Sequence, residues 1–297
     1  MIFRTSEIIY YAIIGKNLTL LPVELELEQK LGIEICNITR DFTKKNSQFT
    51  ALKDVSVNVN FGEVVAVIGP SGCGKSTLLK IAAGVLEPTF GTIHINGMFP
   101  NEIQKSNQMG IVFQDHLLLP WLNVAQNIKL LIECGKSDSK IEPKLQLLLR
   151  LIGLEEFSHY YPYQLSGGMR QRVSLARALI LNPSVLFMDE PLSSLDEITR
   201  GAMREELYKM HQSSGATTLL VTHSIPEAIM LSDRIIVMAS NPGRISESID
   251  VKLSDSVRKT NFRDIELTDE FNEIFLKVRE SLQRISHFEM STGFKDV

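Results

Sequence analysis

The chain is poor in cysteine, tryptophan and excess charge, and it has no long apolar run. Its 3 cysteines, Cys36, Cys73 and Cys134, stand far apart in 297 residues and form no C-x-x-C pair. Such spacing gives no disulfide or zinc framework and fits a reducing compartment. A net charge of −4 argues against a general nucleic-acid binder, because those tend to be basic. No stretch approaches the ~18 apolar residues of a membrane-spanning helix. Work at a membrane would therefore need a partner to supply the span. Ile8 to Ile14 is apolar but short, follows one arginine and shows no small-residue cleavage site. It is read as part of an N-terminal extension, not as a signal peptide. With 44% hydrophobic and 22% charged residues, the chain is otherwise an ordinary globular one, long enough for one large or two small domains.

What is present centres on Gly69-Pro70-Ser71-Gly72-Cys73-Gly74-Lys75-Ser76, which reads G-x-x-x-x-G-K-S. Before it runs Val64 to Ile68, β-branched and apolar like a buried strand. After it, Thr77 to Ala83 can carry a helix until Gly84. Strand, glycine-rich turn and helix in that order form a phosphate-binding loop. Glycines let backbone N–H groups converge on a phosphate chain, and the helix N-terminus adds partial positive charge. Lys75 is expected to reach the β- and γ-phosphates, and the Ser76 hydroxyl to ligate Mg²⁺. A chance glycine turn is the competing reading, and the flanks disfavour it.

Other segments gather around this loop. Ile33, Ile35 and Ile38 suggest one strand, and Val55, Val57 and Val59 alternate with polar residues as a second. Between them Phe42 and Phe49 are aromatics that could stack on a base or simply sit in the core. Met109 to Phe113 reads as a strand ending at Gln114. Leu117 to Leu122 is apolar, contains Trp121 and is a poor helix because of Pro120. Such a loop can face a protein partner or form a buried hinge. Residues 124–160 read as helices, one of them ended by Gly153. Ser166 is a natural N-cap before Gly167 and Gly168, a second potential anion site. Val185 to Met188 reads as a buried strand ending in Asp189 and Glu190. The first acid suits Mg²⁺, and the second can act as base toward a water. Ser194-Leu195-Asp196 follows, then a helix over roughly 197–214, and a strand ending at His223. Phe271, Ile274, Phe275, Val278, Leu282 and Ile285 form a helical stripe with Thr268 as its cap.

The set Gln114, Leu165-Ser166-Gly167-Gly168-Met169-Arg170-Gln171-Arg172, Met188-Asp189-Glu190-Pro191, Ser194-Leu195-Asp196 and His223, in that order, resembles the nucleotide-binding subunit of ABC transporters. The match covers about residues 33–250. The resemblance implies an α/β fold of the P-loop NTPase, ABC-type ATPase kind: a RecA-like core with an antiparallel β subdomain and an α-helical subdomain. It divides the chain into an extension at 1–32, an ATP-binding domain at 33–255 with its helical subdomain at about 115–182, and a C-terminal helical extension at 256–297.

The resemblance also implies residue roles. Phe42 would stack on adenine, and Gly69, Pro70, Ser71, Gly72, Cys73, Gly74, Lys75, Ser76 and Thr77 would hold the phosphates of ATP. Ser76, Gln114 and Asp189 would surround Mg²⁺. Glu190 would polarise the attacking water, with His223, Lys75 and Gln114 in the catalytic set. Ser166, Gly167 and Gly168 would bind the γ-phosphate held by a second copy of the chain, and Asp196 would lie in the nucleotide site. Two copies would sandwich two ATP molecules head to tail. They would bind membrane permease subunits through the Gln114–Trp121 region, on the cytoplasmic face of the membrane, with an external solute-binding protein as an indirect partner and no nucleic acid. Leu119 to Val124, Leu231 to Met238 and Pro242-Gly243-Arg244-Ile245 resemble the importer group for nitrate, taurine, other sulfonates or bicarbonate. An exporter-type or soluble ABC ATPase is the alternative.

Overall fold

The computed structural model describes residues 11–14, 17–20, 31–44, 47–133, 141–254, 257 and 262–291. Cys134 and the start of the apolar N-terminal stretch lie outside them. Strands β1 (Tyr11–Ile14) and β2 (Asn17–Leu20) form an antiparallel hairpin within a separate unit, Met1–Lys30.

In the unit that follows, β3 (Leu31–Lys44), β4 (Ser47–Asn60) and β6 (Phe90–Ile95) make an antiparallel sheet in the order β4-β3-β6. Val55, Val57 and Val59 are buried while Ser56 and Asn58 are exposed, as a strand with one covered face requires. A second sheet holds β5 (Val64–Ile68), β7 (Met109–Val112), β8 (Val185–Asp189), β9 (Thr217–Val221), β10 (Arg234–Ala239) and β11 (Arg244–Asp250). Its order is β11-β10-β5-β9-β8-β7, and all pairs are parallel except β10 with β11. Every residue of β5, β8 and β9 is buried, the signature of a parallel sheet covered on both faces.

The two cores lie on opposite sides of that sheet. Alternate residues of β5 serve them: Val65 and Val67 pack with the antiparallel sheet and α1 (Lys75–Ala82). Ala66 and Ile68 join the core that takes in α4 (Ile141–Leu151), α5 (Gly167–Leu179), α6 (Glu197–Ser214) and α7 (Ile225–Leu231). A short α2 (Pro100–Lys105) precedes β7. The C-terminal α8 (Asp269–Ser291) buries Phe271, Ile274, Val278 and Ile285 in the second core. Its first turn is capped by Thr268 Oγ1, which accepts from Phe271 N at 3.3 Å.

Helix α3 (Val124–Glu133) and α4 fall within the segment 124–160 expected to be helical, but residues 153–160 of it are turns and irregular chain. Gly153 turns left-handed at φ +63° and ends α4. The following carbonyls are then taken by another helix: Tyr160 O and Ser158 O accept from Val124 N and Ala125 N at 2.9 and 3.0 Å. These are two of the N–H groups that an α-helix start leaves without internal partners.

Candidate nucleotide site

The glycine-rich loop joins central β5 to α1. Gly74 sits at φ +94°, directly before α1, and a Cβ there would strike Leu52 Cδ2 at 2.6 Å. Only glycine meets both demands. Lys75 folds back over the loop: its Nζ donates to Gly69 O and Pro70 O, both at 2.9 Å. Cys73, buried beneath it, has its Sγ 3.8 Å from that Nζ.

Ser76 at the start of α1 faces Asp189 at the end of β8, and its Oγ donates to Asp189 Oδ1 at 3.0 Å. Asp189 is 1% exposed. Burial pushes its carboxyl above the usual range; the Ser76 hydrogen bond opposes the shift, and neighbouring Glu190 adds to it. A buried carboxylate held at this cost has an unmet need for positive charge. The Ser76 hydroxyl beside it is a hard oxygen donor, and the Gln114 amide meets the adjoining Glu190; such oxygen donors suit a divalent cation such as Mg²⁺.

Glu190 meets two of the other expected catalytic residues, His223 and Gln114, while Lys75 stays on its own loop. Its Oε1 lies 3.2 Å from His223 Nδ1, and its Oε2 accepts from Gln114 Nε2 at 3.4 Å. Its backbone is left-handed, φ +49°, a conformation costly for a non-glycine residue and often kept at reactive sites. Main-chain bonds hold it there. Glu190 N donates to Val221 O at 2.8 Å, and Glu190 O accepts from Ser193 Oγ at 3.0 Å and Gln171 Nε2 at 3.3 Å.

Gln171 is a residue whose role the sequence did not disclose. It is 1% exposed on α5, and its Oε1 accepts from Ser194 Oγ at 2.8 Å. It thus ties the Ser166 helix to Glu190 and to the loop leading to Asp196. Ser166 caps α5, accepting from Met169 N at 3.2 Å, and Gly167 and Gly168 form the first residues of that helix. Asp196 caps α6, accepting from Thr199 N at 3.0 Å. That bond holds its carboxyl below the usual range. Glu227 is a second unforeseen residue. It is 3% exposed and accepts from Thr222 Oγ1 at 2.8 Å, which bonds in turn to Ser224 N at 3.1 Å, so the two flank His223.

Phe42 and Phe49 face each other across the β3–β4 hairpin and both are exposed, so neither is a core residue. The Arg40 guanidinium lies 4.6 Å from the Phe42 ring centre, a cation–π contact that covers one face. Trp121 is 69% exposed, which rules out the buried hinge. Its loop is nonetheless held. Asn127, fully buried, donates through Nδ2 to Leu119 O, Leu122 O and Asn123 O at 3.2, 2.8 and 3.1 Å. Arg177 of α5 donates to Leu117 O and His116 O at 2.7 and 3.0 Å.

The family model described as ABC transporter matches residues 52–193. A taurine import ATP-binding protein of Jannaschia sp. is 40% identical over 246 residues, 82% of this chain and 91% of that protein. The chain belongs to the ATP-binding family of ABC importers. An aliphatic sulfonates import ATP-binding protein of Bacillus thuringiensis is likewise 40% identical to this family member, over 78% of this chain and 90% of the other. The ATP-binding cassette MJ0796, solved as a post-hydrolysis dimer with ADP and phosphate, superposes with a TM-score of 0.69 at 31% identity, covering 75% of this chain and all of that one. As a member of the family the chain binds ATP and is an energy-coupling ATPase. Among the described residues no helix is long and apolar enough to cross a membrane.

Proposed function

We propose that this chain hydrolyses ATP at Glu190 to drive uptake of a small sulfonate of the taurine and alkanesulfonate type. The observation that carries the catalytic half is the Glu190 carboxylate, held between His223 and Gln114 beside the Ser76–Asp189 pair. In this reading the loop from Gly69 to Thr77 cradles the phosphates, and Lys75 leaves the carbonyls of Gly69 and Pro70 for the β- and γ-phosphates. Ser76, Asp189 and Gln114 hold Mg²⁺, which supplies charge neutralisation on those phosphates. Glu190 accepts a proton from the attacking water as its oxygen bonds to the γ-phosphorus and the bond from that phosphorus to the β-phosphate oxygen breaks, releasing ADP. His223 donates to the γ-phosphate and keeps the Glu190 carboxylate turned toward that water. Phe42 offers adenine the ring face that Arg40 does not cover.

Ser166, Gly167 and Gly168 present free helix-start N–H groups to the γ-phosphate of a second copy, with Asp196 at the same seam. Support comes from the dimeric state of the related cassette. The firmly held Trp121 loop, exposed and apolar, is the surface offered to a membrane permease, which would place the chain peripherally at the membrane.

The solute assignment draws on the relatives named for taurine and aliphatic sulfonates. Deletion of the gene should abolish uptake of radiolabelled taurine or an alkanesulfonate while leaving nitrate and bicarbonate uptake intact. Restoration by the wild-type chain but not by Glu190→Gln would tie uptake to hydrolysis. Unchanged sulfonate uptake in the deletion strain would overturn the solute.

A further inference from the structure

A cavity of about 440 Å³ lies between α4, α6 and the parallel sheet, and no step of ATP hydrolysis uses it. Its size falls within the roughly 300–1,000 Å³ of small-molecule sites. The floor is apolar, made by Leu186 and Met188 of β8 with Leu231 at the end of α7. Leu148 and Leu151 of α4 wall one side, and Leu207 and Met210 of α6 the other. Polar groups stand among them, chiefly Lys144 of α4 and Lys209 and Glu206 of α6.

The two lysines at this cavity differ in their partners. Lys209 is already committed, its Nζ 2.8 Å from Glu205 and 3.3 Å from Glu206. Lys144 has no ion-pair or hydrogen-bond partner among the described residues. It is half-buried, and burial holds its ammonium below the usual lysine range. An apolar chamber with one unanswered cation calls for an occupant with an apolar body and a single negative head.

We propose that this cavity binds a medium-chain alkyl anion, with its tail among Leu148, Leu207 and Met188 and its carboxylate or sulfonate head on Lys144. The occupant would brace α4 against α6 and against β8. Met188 directly precedes Asp189, so the bound tail touches the strand that carries Asp189 and leads into Glu190.

Calorimetric titration of the full chain, without nucleotide, tests this with three probes of equal tail length kept below micellar concentrations: octanoate, octanesulfonate and neutral octanol. At least one anion should bind about tenfold more tightly than octanol, the value of one charge-assisted hydrogen bond. Octanoate alone assigns a carboxylate ligand, octanesulfonate alone a sulfonate one, and either supports the site. Lys144→Met keeps the stem and should erase the anion preference while leaving octanol binding unchanged. Equal affinity of the wild type for octanol and both anions, no binding of any anion, or full anion preference in Lys144→Met would overturn the proposal. The comparison of head groups on the wild type stands even if the variant folds poorly.

Discussion

Replacing Glu190 with glutamine separates what this residue does for the fold from what it does for the reaction. The amide matches the carboxylate in size. The backbone anchors through Val221, Ser193 and Gln171 do not involve the side chain, so the left-handed turn is retained. The side chain loses its charged contacts to His223 Nδ1 at 3.2 Å and Gln114 Nε2 at 3.4 Å. Hydrogen bonds to a charged group are worth about 1.5–3 kcal/mol when well shielded. His223 is 64% exposed at its side chain and the Gln114 contact is long, so solvent reduces this to ~1 kcal/mol or less of stability. Losing a general base costs more, about 10²–10⁴-fold in rate, or roughly 3–5.5 kcal/mol of barrier.

The two magnitudes separate on two assays. Denaturant unfolding of Glu190→Gln should shift little, and ATP binding by calorimetry should stay near wild type. Single-turnover hydrolysis with excess enzyme should fall by ~10²-fold or more. Turnover within about fivefold of wild type would remove Glu190 as the base, because no general base of this kind contributes so little. A matched loss of ATP affinity and rate would instead make Glu190 a binding residue.

Three other perturbations bear on the same site. Asp189 has a folded pKa raised above its unfolded value, so its ionised form weakens the native state at neutral pH, and that penalty is relieved as pH falls through the folded value. In metal-free buffer the wild type should therefore gain stability relative to Asp189→Asn as pH drops from 7 toward the ordinary carboxylate range; parallel stability curves would contradict the burial effect. Ser166→Arg should leave ATP binding by one chain intact while blocking ATP-dependent dimerisation in light scattering, and normal hydrolysis in that variant would exclude a site shared between copies. Gln171→Leu removes two buried-side hydrogen bonds, about 2 kcal/mol in unfolding experiments, and should lower the hydrolysis rate at unchanged ATP affinity; an unaltered rate would confine Gln171 to a structural role.

Much of this was legible in the sequence because local chemistry dictated it. Val64 to Ile68 and Val185 to Asp189 are near-continuous apolar runs, and a strand buried on both faces can be little else. The loop after β5 announces itself through glycines that a phosphate-binding turn requires. The stripe from Phe271 to Ile285 follows the helical period and does pack in the core. What stayed hidden depends on long-range partners. The helical expectation failed after Gly153 because Ser158 and Tyr160 give their carbonyls to α3, a bond between distant residues. Arg40 and Phe42 share a strand face by their spacing of two, yet the stacking between them emerges only once the hairpin forms. The left-handed backbone of Glu190 leaves no mark on composition, since glutamate gives no hint of positive φ.

Gln171 shows most clearly why a motif is not a mechanism. It stands in the same run as Ser166, Gly167 and Gly168, and spacing alone presents it as one more helical residue after the cap. The structure gives it a different neighbourhood. Its amide reaches across to Glu190 O and Ser194 Oγ, so the helix that would touch a partner's γ-phosphate also grips the backbone of the proposed base. The Glu190 carbonyl, on a residue held at φ +49°, accepts that bond from Gln171 Nε2. If that helix start engages nucleotide in a second copy, as proposed, Gln171 gives it a short side-chain-to-backbone link to Glu190. Two segments that read as independent along the sequence are thus joined by one buried side chain, and under the proposed function closure at Ser166 would bear on the aim of Glu190.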